Sequence, residues 1–122
     1  MLTFDVLEKA IAAHASWKAR LRMAASTGKF DVTPTAVKAD NQCEFGKWLY
    51  GTQMSASEKQ SPHYAPVKQL HAQFHQEAAK VVELATAGKK IEAEKAIAIG
   101  SSYTKVSTSL TSEILKWRES LR

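Results

Sequence analysis

Four residues of types that bind transition metals occur at informative positions in this chain of 122 residues. His71 and His75 are four residues apart, so on a helix both imidazoles project from one face, a geometry that chelates a transition metal. His14 and the single cysteine, Cys43, come from two other segments. Together the four residues offer three nitrogens and one sulfur, which is a closed tetrahedral donor set suited to zinc.

Each of these residues also has an ordinary structural interpretation. A core histidine is more often hydrogen-bonded than metal-bound, and free cysteines tend to be buried whatever their role. His14 and His71 nevertheless lie on apolar stripes, where an unpaired polar group costs about 1–3 kcal/mol. Near a helix N-terminus, exposed backbone N–H groups favour the thiolate form of Cys43. The metal interpretation therefore requires three helices that bring these residues to one point.

Apolar residues recur with a helical period in three long segments. The first helix is predicted from residue 3, with Thr3 as its cap, to about residue 26, and the second from 62 to Gly88. The third is predicted as one unbroken helix over 91–121, with Gly100 tolerated inside it at a cost of about 1 kcal/mol. Its apolar stripe comprises Ala96, Ile99, Tyr103, Val106, Leu110, Ile114, Trp117 and Leu121.

A short helix is predicted to carry Cys43, capped by Asp40 or Asn41 and closed by Gly51. The stretches 29–40 and 52–61 are predicted to be loops. The fold class that follows is all-α, an antiparallel four-helix bundle with an additional short helix carrying Cys43. We expect residues 1–122 to form a single domain.

Composition and charge exclude several function classes. The net charge is +5, but the 17 Lys and Arg residues are scattered and face 12 acids, so we expect no nucleic-acid partner. No apolar run approaches the roughly 18 residues of a membrane span, so no membrane partner is expected. Asp5 and Glu8 stand where a signal peptide would be basic and then apolar. With one cysteine and hence no intrachain disulfide, we expect a cytoplasmic location.

Three short patterns resemble the signature of a known family. They are His14-Ala-Ser-Trp17, Cys43-Glu-Phe-Gly46-Lys-Trp48 and His71-Ala-Gln-Phe-His75, and their order and spacing are similar to those of the bacterial chemoreceptor zinc-binding domain. The resemblance implies a cytoplasmic four-helix module that binds Zn²⁺ through the cysteine and three histidines and often dimerises. It also implies an input from zinc itself or from oxidants that act on the cysteine.

In that family the module is usually attached to chemoreceptor or diguanylate cyclase regions, whereas the 122 residues contain no output domain. The chain is then either a free-standing form that acts on a signalling partner or a piece of a longer protein, and Met1 favours the former. We expect a homodimer that uses part of the long terminal helix or of the first helix, since Tyr103 and Trp117 share the terminal stripe.

Other functions fit the sequence less well. The HExxH peptidase motif is absent, because Ala72 stands where that motif has its glutamate. Glu44 and Glu77 remain as candidate bases. The absence of the motif favours a protein that is not an enzyme. A di-iron bundle needs inward acids that the stripes lack. Haem held by His14 and His71 would leave Cys43 and His75 unexplained. A structural or protein-interaction bundle without a signalling metal remains the alternative.

Three further residues have roles that the sequence leaves open or secondary. Trp17 either walls the site from water or packs in the core. Asp40 either caps the Cys43 helix or bonds a ligand imidazole. His63 is predicted to be exposed and not to bind metal.

Overall fold

The structure is a computed structural model that describes residues 4–39, 43–51 and 54–121. Within them the chain forms seven helices and no strand, which confirms the all-α prediction. The helices are α1 (Phe4–Thr27), α2 (Pro34–Lys38), α3 (Glu44–Tyr50), α4 (Ala56–Lys59), α5 (Tyr64–Thr86), α6 (Lys90–Ala96) and α7 (Ser102–Ser120).

Helices α1 and α5 run in the same direction. The ring of His14 lies 4.4 Å from that of Phe74, and a Cβ added at Gly28 would lie 3.3 Å from the carbonyl oxygen of Ala85. Because both partners advance along the chain together, the C-terminal ends of the two helices meet at the same end of the bundle. Gly28 ends α1 at φ +76°, a conformation that suits glycine.

Helix α7 runs in the opposite direction against α5. Tyr103, near the start of α7, lies 5.7 Å from Phe74, and Trp117, near its end, lies 6.3 Å from Tyr64 at the start of α5. All four of these side chains are buried. They form part of the main apolar core. These contacts support the predicted antiparallel bundle.

The segment of α2 and α3 fills the fourth position of the bundle. Val37 of α2 contacts the middle of α5 at His75, whereas the carbonyl oxygen of Leu49 in α3 accepts a hydrogen bond of 2.7 Å from the hydroxyl of Tyr64. The described parts of this segment, α2 and α3, therefore follow one another antiparallel to α5. The short helix predicted around Cys43 is α3, and Gly51 follows it as predicted.

Two stretches predicted as loops contain helices, so the loop prediction is wrong there. In 29–40, α2 begins with Pro34 after Thr33, whose side chain accepts a hydrogen bond from the N–H of Ala36. In 52–61, α4 begins after Ser55, which forms a capping box with Glu58. Both helices have only four or five residues, which is too short to show the apolar period on which the prediction relied.

The prediction of one unbroken terminal helix over 91–121 is also wrong. Helix α6 ends at Ala96 and α7 begins at Ser102, because Gly100 adopts φ +89° and the side chain of Ser101 caps α7 at the N–H of Thr104. Ile99, placed in the apolar stripe by the sequence, is 99% exposed in this break. The gap lets α6 pack against α1 and α5 at one end through Ala93.

Two predicted caps, Thr3 and the pair Asp40 and Asn41, lie outside the described residues, as does the second role considered for Asp40. The N-cap of α3 in the structure is Cys43 itself. Over the described ranges, no helix combines the length and the apolar character that a membrane crossing would need.

Candidate metal centre

The site lies where α3 meets the middle of α5. His71 and His75 are one turn apart on the buried face of α5 and are 4% and 2% exposed. Cys43 is half-buried and stands at the start of α3, which directs its side chain towards the same turn of α5. The apolar stripe of α5 explains this burial, because its Val67, Phe74 and neighbouring residues must face the core.

The donor atoms of these three residues are close together. The Sγ atom of Cys43 lies 3.3 Å from Nε2 of His71 and 3.5 Å from Nε2 of His75. The two Nε2 atoms lie 3.1 Å apart. Among the described residues, these three form a group of potential metal donors that all lie within 4.8 Å of one another.

These separations fit zinc. Zinc binds imidazole nitrogen at about 2.0–2.1 Å and cysteine sulfur at about 2.3 Å, so a tetrahedral site has N–N edges of about 3.4 Å and N–S edges of about 3.5 Å. The observed edges in this group are 3.1, 3.3 and 3.5 Å. One soft thiolate with two imidazoles is also the donor chemistry that zinc prefers. The three residues could thus occupy one face of a zinc tetrahedron.

The imidazole of His75 is held in the tautomer that metal binding needs. Its Nδ1 atom lies 2.8 Å from the carbonyl oxygen of Val37. A carbonyl only accepts, so Nδ1 must carry the proton and donate it, which leaves a lone pair on Nε2. That lone pair faces Cys43 and His71. Such a hydrogen bond behind a metal-binding histidine fixes both its ring orientation and its tautomer.

The sulfur of Cys43 is supported by the backbone of its own helix. The N–H of Gly46 donates to Sγ at 3.3 Å, so the cysteine acts as the N-cap of α3. A hydrogen bond from a backbone N–H stabilises negative charge on sulfur, as does the position at the start of a helix. The arrangement therefore favours the thiolate, the form that binds metal and reacts with oxidants.

Aromatic side chains surround the imidazoles. The ring of Trp17 meets His75 edge to face at 5.5 Å, and Phe45 meets His71 in the same way at 5.2 Å. On the outer side, the guanidinium of Arg20 lies 4.6 Å from the Trp17 ring. Trp17 thus does both things that the sequence left open, because it covers one side of the site and also packs against the core.

His14 lies next to this group but outside it. It lines the same cavity of about 350 Å³ as Cys43, His71 and His75. Its Nε2 atom, however, is 2.8 Å from Oγ of Ser107 on α7. Burial, with smaller contributions from the charges of Lys18 and His75, lowers the pKa of His14 to about 4, so its imidazole is neutral at physiological pH.

The remaining residues named from the sequence take lesser places. His63, predicted to be exposed, is half-buried just before α5 and stacks on Trp117 at 6.5 Å, away from the donor group. Glu77 pairs with Lys80 at 3.5 Å on the outer part of α5. The side chain of Glu44 lies outside the described residues.

Two residues that hydrogen-bond imidazoles in or beside the site, Val37 and Ser107, were missed by sequence reasoning. Val37 contributes through its backbone carbonyl, which no side-chain pattern reveals. Ser107 is 1% exposed inside the apolar face of α7, where the sequence placed Val106 instead. The spacing from Tyr103 to Leu110 allows either residue, and hydrophobic periodicity favours the apolar Val106 over a buried hydroxyl.

The fold and the donor group define a helical zinc-binding bundle. Comparison with known families agrees, because residues 14–82 match the chemoreceptor zinc-binding domain. This match covers more than half of the 122 residues, so the chain belongs to that family. No curated protein and no solved structure matched the chain.

Proposed function

We propose that this chain is a regulatory zinc-binding module of bacterial signalling, of the chemotaxis or cyclic-di-GMP type. One observation carries the proposal: Cys43, His71 and His75 present one sulfur and two nitrogens with the edge lengths of a zinc tetrahedron. Membership of the chemoreceptor zinc-binding family supports the signalling role.

In this proposal His14 is the fourth ligand. It lines the same cavity as the other three residues, and its neutral imidazole has a lone pair to offer. The hydrogen bond from His75 to Val37 orients one ligand, while the N–H of Gly46 supports the sulfur of another. When bound, zinc would keep Cys43 as a thiolate at neutral pH.

The response that we propose is a change in α3. This helix has only seven residues, and its N-cap is a proposed ligand. A loss of zinc, or oxidation of the Cys43 sulfur, would remove one tie between α3 and α5 and leave α3 held by its core contacts and by the hydrogen bond from Tyr64 to Leu49. The long helices would stay packed through their apolar faces. A signalling partner could read the surface formed by residues 43–51.

We further propose that the module acts in the cytoplasm, as a homodimer and as a regulator rather than an enzyme. Helix α7 is shorter than predicted, and Tyr103 and Trp117 are buried within the chain, so neither the length of the terminal helix nor these aromatic side chains supports a dimer. What supports a dimer now is apolar surface on α1 and α7: Met23 is 64% exposed and Leu115 is 36% exposed.

The alternative is a structural or protein-interaction bundle whose metal is not a signal. Its support is the hydrogen bond between His14 and Ser107, which satisfies the His14 imidazole without any metal. In that case zinc, held by the other three residues, would serve as a staple. Structural zinc typically binds with about 10–16 kcal/mol and exchanges slowly.

Metal analysis of freshly purified protein, followed by chelator competition, tests the proposal. We expect one zinc ion per chain, and we expect a competing chelator to remove that zinc within the time of the experiment. A chain that contains no zinc and takes up none would contradict the proposed function. Zinc that no chelator removes without unfolding the protein would favour the staple.

A further inference from the structure

Ser107 is the residue whose position the proposed function does not explain. It is a polar side chain that is 1% exposed, on the face of α7 that also buries Tyr103 and Leu110. A hydroxyl in such a place needs a hydrogen-bond partner. The partner is Nε2 of His14, at 2.8 Å, on the facing helix α1.

This hydrogen bond competes with metal binding at the same atom. Each imidazole nitrogen has one in-plane position, which holds either a proton or a lone pair. If Nε2 carries the proton, it donates to Ser107; if it carries the lone pair, it accepts from the hydroxyl. In both cases Nε2 cannot bind a metal at the same time.

The surroundings of His14 allow its imidazole two positions, one at Ser107 and one at the donor group. His14 shares a cavity of about 350 Å³ with Cys43, His71 and His75, so the imidazole has space on the side of the donor group. It is nevertheless absent from the group of donor atoms found within 4.8 Å of one another. In the structure, Nε2 of His14 is therefore bonded to the hydroxyl on α7 and is not a member of the donor group.

We propose that Ser107 holds His14 in the metal-free protein and releases it when zinc binds, so that occupancy of the metal site is transmitted to α7. This proposal rests on the proposed function, in which His14 is the fourth ligand. Zinc binding would then affect α7 through His14, in addition to the change proposed for α3. Since α1 also contacts α7 through the ion pair of Glu8 and Arg118, loss of the His14 bond would loosen one of several links between the two helices.

The test compares zinc affinity, measured by chelator competition, in the wild type and in Ser107→Ala. Removal of the competing hydroxyl should tighten zinc binding by about 3- to 10-fold, because the metal-free state loses a hydrogen bond that the zinc-bound state does not have. The matched control is Thr111→Ala, one turn further along α7. Its hydroxyl bonds the backbone carbonyl of Ser107 and not His14, so its zinc affinity should stay unchanged.

A weaker or unchanged zinc affinity in Ser107→Ala would overturn the proposal. A weaker affinity has a specific meaning: His14 would bind through Nδ1 while Ser107 holds Nε2, as a positioning residue. Nitrogen NMR of the His14 ring in the wild type decides this independently of any variant. Zinc should shift the Nε2 resonance, and a shift of Nδ1 alone would contradict the exchange.

The same measurements separate this proposal from the proposed function. If His14→Ala binds zinc as tightly as the wild type, the fourth ligand is wrong and the exchange falls with it. If His14→Ala binds much more weakly but Ser107→Ala does not bind more tightly, the ligand set stands and only the exchange is wrong. A wild type that binds no zinc overturns both.

Discussion

The Nδ1 atom of His75 donates a hydrogen bond of 2.8 Å to the backbone carbonyl of Val37. This bond links a helix that carries two donor atoms, α5, to a five-residue helix that carries none, α2. Val37 is 1% exposed, so its side chain anchors α2 to the core while its carbonyl fixes the imidazole. Helix α2 thus contributes to the site only by orienting it.

The first prediction concerns this orienting role. Thr33→Ala removes the side-chain cap of α2 and should destabilise that helix by about 1 kcal/mol. Because α2 holds the Val37 carbonyl, zinc binding should weaken by up to roughly fivefold, the equivalent of that free energy. The control is Ser55→Ala, which removes the cap of α4 and should leave zinc affinity unchanged. An equal effect of both variants on affinity would refute the role of α2.

The second prediction concerns the ligand set. Cys43→Ala and His71→Ala should each lose most of the bound zinc, since each removes one member of the three-donor group. The matched control is His63→Ala, because His63 stacks on Trp117 outside that group. Zinc per chain, measured on folded protein, is the readout. Loss of zinc in His63→Ala with retention in Cys43→Ala would show that the assignment is wrong.

The grouping of Cys43, His71 and His75 could be predicted because these residue types are rare and their spacing is regular. His71 and His75 are four residues apart, so the helical period places them on one face, and Cys43 is the single cysteine of the chain. The hydrogen-bond partners of His75 and His14 could not be predicted in the same way. The carbonyl of Val37 belongs to the backbone, and Ser107 is polar at a buried position, so neither contributes to a hydrophobic pattern.

The helices, too, could be predicted only in part. Long apolar periods predict α1 and α5, but the apolar period also continues from α6 to α7 across the break at Gly100. The stripe continues across this break by coincidence, with Ile99 in register yet 99% exposed. Local signals were present there, since a glycine followed by a serine cap is typical of one helix ending and another beginning.

The third prediction concerns pH. Burial raises the pKa of Tyr103 from 10.0 to about 12, against a smaller opposing effect of the Arg22 charge. The unfolded chain therefore loses this proton at a lower pH than the folded chain does. The stabilising contribution is complete below pH 10 and is lost as pH rises towards 12, by about 2–3 kcal/mol.

Urea unfolding across this pH range, in the wild type and in Tyr103→Phe, provides the measurement. The phenylalanine variant should lose less stability, since it has no phenol to ionise. The pKa of Tyr64 is also raised by burial, so the variant should keep some of the alkaline loss. Identical pH dependence in the two proteins would contradict the assignment to Tyr103.

The fourth prediction is that the protein forms a homodimer. Sedimentation at tens of micromolar should give twice the chain mass of 13.5 kDa. If the exposed apolar faces of α1 and α7 form the interface, Met23→Lys or Leu115→Lys should shift the equilibrium to monomer. Tyr50→Lys is the control, since Tyr50 is similarly exposed but lies on α3. A single species of 13.5 kDa in the wild type would rule the dimer out.

The fifth prediction concerns oxidation of the zinc-loaded protein. Held as a thiolate, the Cys43 sulfur should react with stoichiometric hypochlorous acid before other residues do. The sulfur is oxidised by two electrons to a sulfenic acid, and chlorine is reduced to chloride. Met54 is 3% exposed and therefore protected, whereas Met23 is 64% exposed and competes for the oxidant. Mass spectrometry that finds Met23 modified and Cys43 intact would contradict the redox role.

Hydrogen exchange then tests whether oxidation moves α3. Loss of the sulfur tie should reduce protection over residues 43–51, while the buried face of α5 should stay protected by its apolar contacts. Cys43→Ala, which lacks the sulfur without any oxidant, should reproduce the same pattern. If protection of 43–51 is unchanged after Cys43 is oxidised, then α3 is held by Leu49 and its neighbours in the core, and the switch that we propose is wrong.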